Sequence, residues 1–322
     1  MGRKSCSFFE ENNSNERFML KTSTDYFVNQ ACPVCGVQSK KALFGINHKK
    51  CTVLKLLEYE GKEPHTVVIT CNNCRHYFMT PVIRKELMDK YYSLINSEFY
   101  HNRNAEPCNL NVKEYQSYAE KIKSKIKNGK ILEIGCGNGY LLQTLKENGF
   151  DCYGVEPSPM AYNHAKNILN LHVENGFFDN SSFFNQKFDV IIMVDVVEHI
   201  SDMQKFIQQI TTVLKPGGYI FIATGNIRSF TAKFAGSNWG YFISWEHLSF
   251  FNPQSIEYLL KKNSFDKIEI EKTSLQHKSA QNLNEFFKNI IKKILNVFVK
   301  NKFTHGLCYD HMVVMAQYKD GK

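Results

Sequence analysis

Lys130-Ile-Leu-Glu-Ile-Gly-Cys-Gly-Asn-Gly139 joins an apolar run to a glycine-rich turn, and Tyr140 to Asn148 continues it with helical spacing. A short buried strand followed by a tight turn and a helix is the opening unit of a layered α/β sheet. Working outward, apolar runs recur at Cys152–Val155, Phe188–Val194 and Tyr219–Ala223. Helical patterns separate them at Met160–Leu169 and at Met203–Leu214, the latter closed by Lys215-Pro-Gly-Gly218. Strands apolar on both faces must be covered by crossover helices on both sides. The expectation is a doubly wound, mostly parallel α/β sheet over about residues 129–322, preceded by a smaller N-terminal unit.

The glycines permit a tight turn and close approach of backbone to a ligand. Such turns also bind dinucleotides, whose pyrophosphate rests on the helix N-terminus and whose usual spacing is G-x-G-x-x-G. Here Gly135, Gly137 and Gly139 are spaced G-x-G-x-G, with Cys136 between them and Glu133 before them. A carboxylate at Glu133 repels a pyrophosphate but accepts from an ammonium group, so the charge favours S-adenosylmethionine. Glu156 ends the second strand, where an acid can take ribose hydroxyls in either class of site.

With these residues come Gly154-Val-Glu-Pro-Ser158, Phe188-Asp-Val-Ile191, Val196-Val-Glu-His-Ile200 and Leu214-Lys-Pro-Gly-Gly218, in order. The region from about Lys130 to Phe265 thereby resembles the class I S-adenosylmethionine-dependent methyltransferases. That resemblance implies a seven-stranded Rossmann-like sheet and a cofactor site of Glu133, Gly135, Cys136, Gly137, Gly139 and Glu156, with Asp195 and Val196 passing under the methionine part. Many relatives follow Gly with an acid that reads the adenine amine, whereas here Gly176 is followed by Phe177, Phe178 and only then Asp179.

Methyl transfer from a sulfonium is an in-line displacement, so the protein supplies alignment, and a base where the acceptor must lose a proton. Candidates cluster in Trp239-Gly-Tyr-Phe-Ile-Ser-Trp-Glu-His-Leu-Ser-Phe-Phe-Asn-Pro253, a stretch too aromatic for an ordinary surface loop. His247 is the preferred general base because imidazole titrates near neutrality. Glu246 could orient or charge it, and His199 is the second candidate. A histidine that only packs the loop, or a structural one at 199, is the alternative for each. This segment resembles the branch that holds deoxysugar and small-molecule methyltransferases. Sugar C-methyltransferases of that design have Tyr where this chain has Ser244, which favours an oxygen acceptor.

Toward the N-terminus, Cys32-Pro-Val-Cys35 and Cys71-Asn-Asn-Cys74 have the knuckle spacing of a tetrahedral four-cysteine site. They predict a zinc ribbon over 26–82 with structural zinc on Cys32, Cys35, Cys71 and Cys74, the alternative being reduced, unliganded thiols. A disordered tail is expected over 1–25 and a helical linker over 83–128. Such ribbons, followed by a Pro and a Tyr-Tyr helix as at Pro81 and Tyr91-Tyr92, resemble those of sugar and surface-polysaccharide pathway methyltransferases, implying a small-molecule carbohydrate acceptor. An RNA methyltransferase, a sugar C-methyltransferase and a binding protein without turnover are the competing readings.

The formal charge of +9 comes from scattered lysines rather than a dense Arg/Lys stripe, which argues against a nucleic-acid partner. Leu283, Phe286, Phe287, Ile290, Ile291, Ile294, Leu295 and Phe298 form one face of a helix at 281–303, with lysines opposite. That helix packs on its own domain or a dimer partner, or makes peripheral membrane contact. No uninterrupted apolar run reaches the roughly 18 residues of a membrane span, and a cytoplasmic monomer or homodimer is expected.

Overall fold

The computed structural model describes residues 23–46, 52–94, 109–242, 245–273 and 310–319. The proposed 281–303 helix, Ser244 and most of the N-terminal tail lie outside them.

The sheet is built on β9 (Phe188–Val194), whose Val190, Ile191, Ile192 and Met193 are wholly buried. On one side stand β6 (Lys130–Ile134), β7 (Asp151–Glu156) and β8 (His172–Asn175); on the other, β10 (Leu214–Gly225), β13 (His311–Tyr318) and β12 (Phe265–Thr273). The seven-stranded order is β12-β13-β10-β9-β6-β7-β8, parallel from β10 to β8, with β13 antiparallel to β10 and β12. The expected mostly parallel, doubly wound sheet is therefore the observed one. Its order reverses beside β6, and ligands of open α/β sheets bind at such a switch point, off the carboxyl ends of the strands.

Helix starts are encoded locally. Ser158 caps α6 (Pro159–Asn163) by accepting from the Ala161 amide, with Pro159 at the first position. Asp202 does the same for α7 (Met203–Val213), accepting from the Lys205 amide at 3.1 Å. The α7 face formed by Met203, Ile207, Ile210 and Val213 is fully buried on the sheet. Each such side chain contributes about 1.5–3 kcal/mol relative to exposure. The helix expected over Met160–Leu169 is α-helical only to Asn163 and continues as a π-helical turn over His164–Ile168. At β10 the strand starts at Leu214, and a register shift absorbs the Pro-Gly-Gly expected to lie in the preceding loop.

The N-terminal unit starts with α1 (Ser23–Tyr26) and β1 (Phe27–Val28), the latter paired with β5 (Val82–Ile83). Between them come β2 (Ala42–Ile46), α2 (Thr52–Leu56), β3 (Thr66–Thr70) and β4 (Tyr77–Thr80). After them α3 (Lys85–Leu94) and α4 (Asn109–Lys125) lead to the glycine turn at the end of β6. A second sheet runs β11-β4-β3-β2, and its outer strand, β11 (Ser249–Phe250), comes from the loop that holds His247. Cys32, Val34, Cys71, Cys74 and Phe78 share one buried cluster with Phe251, Ile256 and Leu260 of the large domain. The two units are joined by a common core, not tethered by a linker alone.

Candidate active site

The cofactor end is made almost entirely by one stretch of chain. Gly135, Gly137 and Gly139 all have positive φ, at 72°, 53° and 85°. A Cβ on Gly135 would lie 2.7 Å from Val196 Cγ2, and one on Gly139 2.6 Å from Leu171 Cδ1, so the turn accepts only glycine there. Glu156 braces this cradle: Oε2 accepts the Gly137 amide at 2.8 Å and Oε1 the Ser158 amide at 2.8 Å. Cys136 is buried behind the turn, its thiol pushed up by burial and by the two nearby glutamates.

Glu133 is 3% exposed at the end of β6, and among the described residues its Oε2 has no hydrogen-bond partner. Burial first, and the Glu156 carboxylate second, hold its carboxyl well above the ordinary range. A buried acid with an orphaned oxygen at a switch point fits an arriving ammonium, which would supply the missing bond. The donor set thus matches the methionine end of S-adenosylmethionine. Asp195 takes a left-handed φ of 52° as its amide donates to the Ala223 carbonyl, and Val196 packs over Gly135. At the opposite end Phe178 is buried and the Lys85 ammonium lies 5.6 Å above the Phe177 ring.

The candidate catalytic side chains are brought together from distant segments. The His247 imidazole places Nδ1 2.8 Å from the Tyr241 carbonyl, so Nδ1 is the protonated donor and Nε2 keeps its lone pair. Its ring lies 4.8 Å from that of His199 and 4.6 Å from that of Tyr241. Burial, then the His199 charge, push the His247 pKa down to about 4, which leaves it neutral at physiological pH. His199 Nδ1 lies 2.9 Å from the Tyr92 hydroxyl and 3.0 Å from the Glu246 carbonyl. The Glu246 carboxylate accepts the Tyr91 hydroxyl at 2.5 Å, while the partner at His247 Nδ1 is the Tyr241 backbone.

Between the two ends lies a buried polar network that the sequence did not single out. The Tyr241 hydroxyl lies 3.1 Å from Asp195 Oδ1, 3.2 Å from Glu198 Oε1 and 2.8 Å from His311 Nε2. Thr224 donates to Glu198 Oε2 at 3.0 Å. Burial, reinforced by Asp195, pushes Glu198 up to about 8, so it is a neutral acid at pH 7. Tyr241 and Glu198 stood within stretches already noted for other residues. His311 opens the last strand with no local signal at all.

Two groups of side chains converge as metal ligands do. Cys32, Cys35, Cys71 and Cys74 bring their sulfurs within 4.8 Å of one another, with Cys32–Cys74 at 3.5 Å and Cys35–Cys71 at 3.4 Å. Four sulfurs bound at about 2.3 Å to one tetrahedral ion lie a little under 4 Å apart, so the set fits zinc. Glu198, His199 and His247 form the second such group.

Residues 100–270, more than half of the chain, match the model of a family described as a methyltransferase domain. The chain belongs to this family. Its domain is an S-adenosylmethionine-dependent methyltransferase domain. It is 30% identical over 153 residues to a ubiquinone biosynthesis O-methyltransferase of Bartonella tribocorum, covering 44% of this chain and 62% of that protein. The protein of the same name from Pelagibacter ubique is 29% identical over 225 residues, 64% of this chain and 91% of that one. The match spans less than two thirds of the length of the first of these relatives. Among solved structures, a chain from the complex of the Haloferax volcanii Trm112 methyltransferase activator with its candidate methyltransferase superposes with a TM-score of 0.51. It is 13% identical and covers 70% of this chain and all of that one, a likeness of fold. Among the described residues no helix is long and apolar enough to cross a membrane.

Proposed function

We propose that the protein transfers the methyl group of S-adenosylmethionine to a hydroxyl oxygen of a small acceptor, with His247 as general base. The observation that carries this reading is the tautomer imposed on His247: a backbone carbonyl takes Nδ1–H and leaves Nε2 free to accept the acceptor's proton. The oxygen forms its bond to the methyl carbon as the carbon–sulfur bond breaks, and S-adenosylhomocysteine leaves. Gly135 to Gly139, Glu156 and the Asp195–Val196 turn hold the cofactor, while Glu133 takes its ammonium. His199, fixed between Tyr92 and the Glu246 carbonyl, lines the same space and orients the acceptor. Cys32, Cys35, Cys71 and Cys74 hold a structural zinc ion.

For the acceptor class, a carbohydrate intermediate is the first reading. The wall of Tyr92, Tyr241 and two imidazoles offers both ring faces and polar atoms, which suits a sugar ring. An intermediate of ubiquinone biosynthesis is the second, favoured by the names of the relatives and by a base of low basicity, which works best on an acidic hydroxyl. Incubation with methyl-labelled S-adenosylmethionine over a panel of nucleotide sugars, glycan intermediates and ubiquinone-pathway hydroxyls tests this. Label on an oxygen of either class supports the reading and selects between the two. Label on carbon or on RNA overturns it.

A further inference from the structure

We infer that the metal-held four-cysteine unit is the positioning element for His247, so that the state of a site distant in sequence sets the placement of the base. This rests on the reading of His247 given above.

The loop carrying Glu246 and His247 is stitched into the ribbon's sheet. Its strand β11 pairs antiparallel with β4, Ser249 opposite Phe78 and Phe250 opposite Tyr77, and the Met79 amide donates to the Leu248 carbonyl at 3.1 Å. β4 starts three residues after Cys74, so its course follows from the second knuckle. Both knuckles are themselves clamped to the large domain. The Val34 carbonyl, between Cys32 and Cys35, accepts from Gln204 Nε2 on α7. The Arg75 carbonyl, next to Cys74, accepts from Asn252 Nδ2 at 2.9 Å, immediately beyond β11. Asn73, inside the second knuckle, donates to the Tyr258 hydroxyl on α9 (Pro253–Lys262) at 3.2 Å.

On its other side the loop is tied by the Leu248 amide donating to the Glu198 carbonyl at 2.8 Å, the Ile227 amide to the Phe251 carbonyl at 3.0 Å, the His199 Nδ1 contact with the Glu246 carbonyl at 3.0 Å and the Tyr91 hydroxyl on the Glu246 carboxylate at 2.5 Å. A two-residue strand cannot hold its register alone; it needs a rigid neighbour. Cross-linking two knuckles through one ion fixes the ends of β3 and β4 and makes that neighbour rigid. The hydrogen bonds that Glu156 makes within the cofactor cradle are none of these.

The test compares the full chain loaded with Zn2+, the same chain stripped with a chelator under reducing conditions, and the Asn252→Asp variant. Asn252 also caps α9 through Oδ1, accepting from Gln254 and Ser255. Aspartate keeps that cap while losing the donor to Arg75, so it cuts the tie and leaves every cysteine in place. Three readouts need no acceptor: calorimetry with S-adenosylhomocysteine, hydrogen exchange at the Leu248 amide, and the slowly exchanging Nδ1–H resonance of His247. Stripping should lose that resonance and speed exchange at Leu248 tenfold or more while S-adenosylhomocysteine affinity moves less than about threefold. Asn252→Asp should reproduce part of this loss, with Co2+ substitution still giving the absorption of a thiolate-bound ion. Leu248 lies outside the ribbon, so its exchange does not simply report ribbon unfolding. An unchanged resonance and unchanged exchange after stripping would overturn the inference, as would loss of cofactor binding together with the metal or failure to bind Zn2+ at all. Near-normal turnover of His247→Ala in the zinc-loaded enzyme would instead defeat the assignment of the base and leave the mechanical coupling standing.

Discussion

The glycine cradle and the cluster around His247 are built on different principles. At the cofactor end, Glu133, the three glycines, Glu156 and Ser158 lie within one βαβ passage, and the bonds that shape it connect near neighbours in that passage. Around His247, Tyr91 and Tyr92, His199, the stretch with Tyr241 and His247, and His311 come from four separate segments and meet only because two sheets share a core. A site encoded locally survives changes elsewhere in the molecule. One assembled from afar takes its geometry from everything between.

The sharpest way to break this comparison is His247→Ala. Turnover should fall about 100-fold or more with S-adenosylhomocysteine affinity unchanged, as for loss of a general base. A near-normal rate would move the base to His199 or remove it altogether. Next in size is Glu156→Ala, which leaves the Gly137 and Ser158 amides without their acceptor. Leaving two buried donors unpaired costs about 1–3 kcal/mol each, so calorimetry should show cofactor affinity weakened at least tenfold. Unchanged binding heat would end the claim that this acid braces the cradle.

A smaller effect is expected for Gly139→Ala, where φ is 85° and the new methyl meets Leu171. The variant should lose about 1–3 kcal/mol of stability in denaturant titration. An unaltered midpoint would mean the turn is not held as described.

The smallest effect concerns pH. His247 is lowered in the folded state, to about 4 from the usual 6.5, so between those values the unfolded chain binds more protons than the folded one and stability rises with pH across that window. Glu198 is raised to about 8 from 4.5, so between these values the folded chain binds more protons and its contribution falls as pH rises. The acid limb of kcat should accordingly lie below the ordinary imidazole range, near pH 4 to 5. A limb at 6.5 would show His247 to be solvated rather than buried.

How much of this was legible in the chain follows the same divide. The strand Phe188–Val194 could be read residue for residue because all of its residues but Asp189 are apolar, and the unbroken run Val190–Val194 has no other buried use. The glycine turn and its acids were legible because their chemistry needs those residues at that spacing. His247 and His199 could be named, but not the carbonyl that sets the tautomer of the first or the Tyr92 hydroxyl beside the second. The Tyr241 hydroxyl among Asp195, Glu198 and His311 was invisible, since His311 reaches it only through the pairing of β13 with β10.

By itself the sequence determined the sheet, the glycine cradle, the acids that favour a sulfonium cofactor and the spacing of the two cysteine pairs. Each of these depends on side-chain periodicity or on contacts a few residues apart, where chain geometry leaves little freedom. Tertiary structure alone decided that the cysteine pairs meet, that β11 joins the sheet of β2, β3 and β4, and that His247 stands beside His199 with Nδ1 on the Tyr241 carbonyl. Those outcomes depend on which surfaces bury each other, and burial couples residues without regard to their distance along the chain.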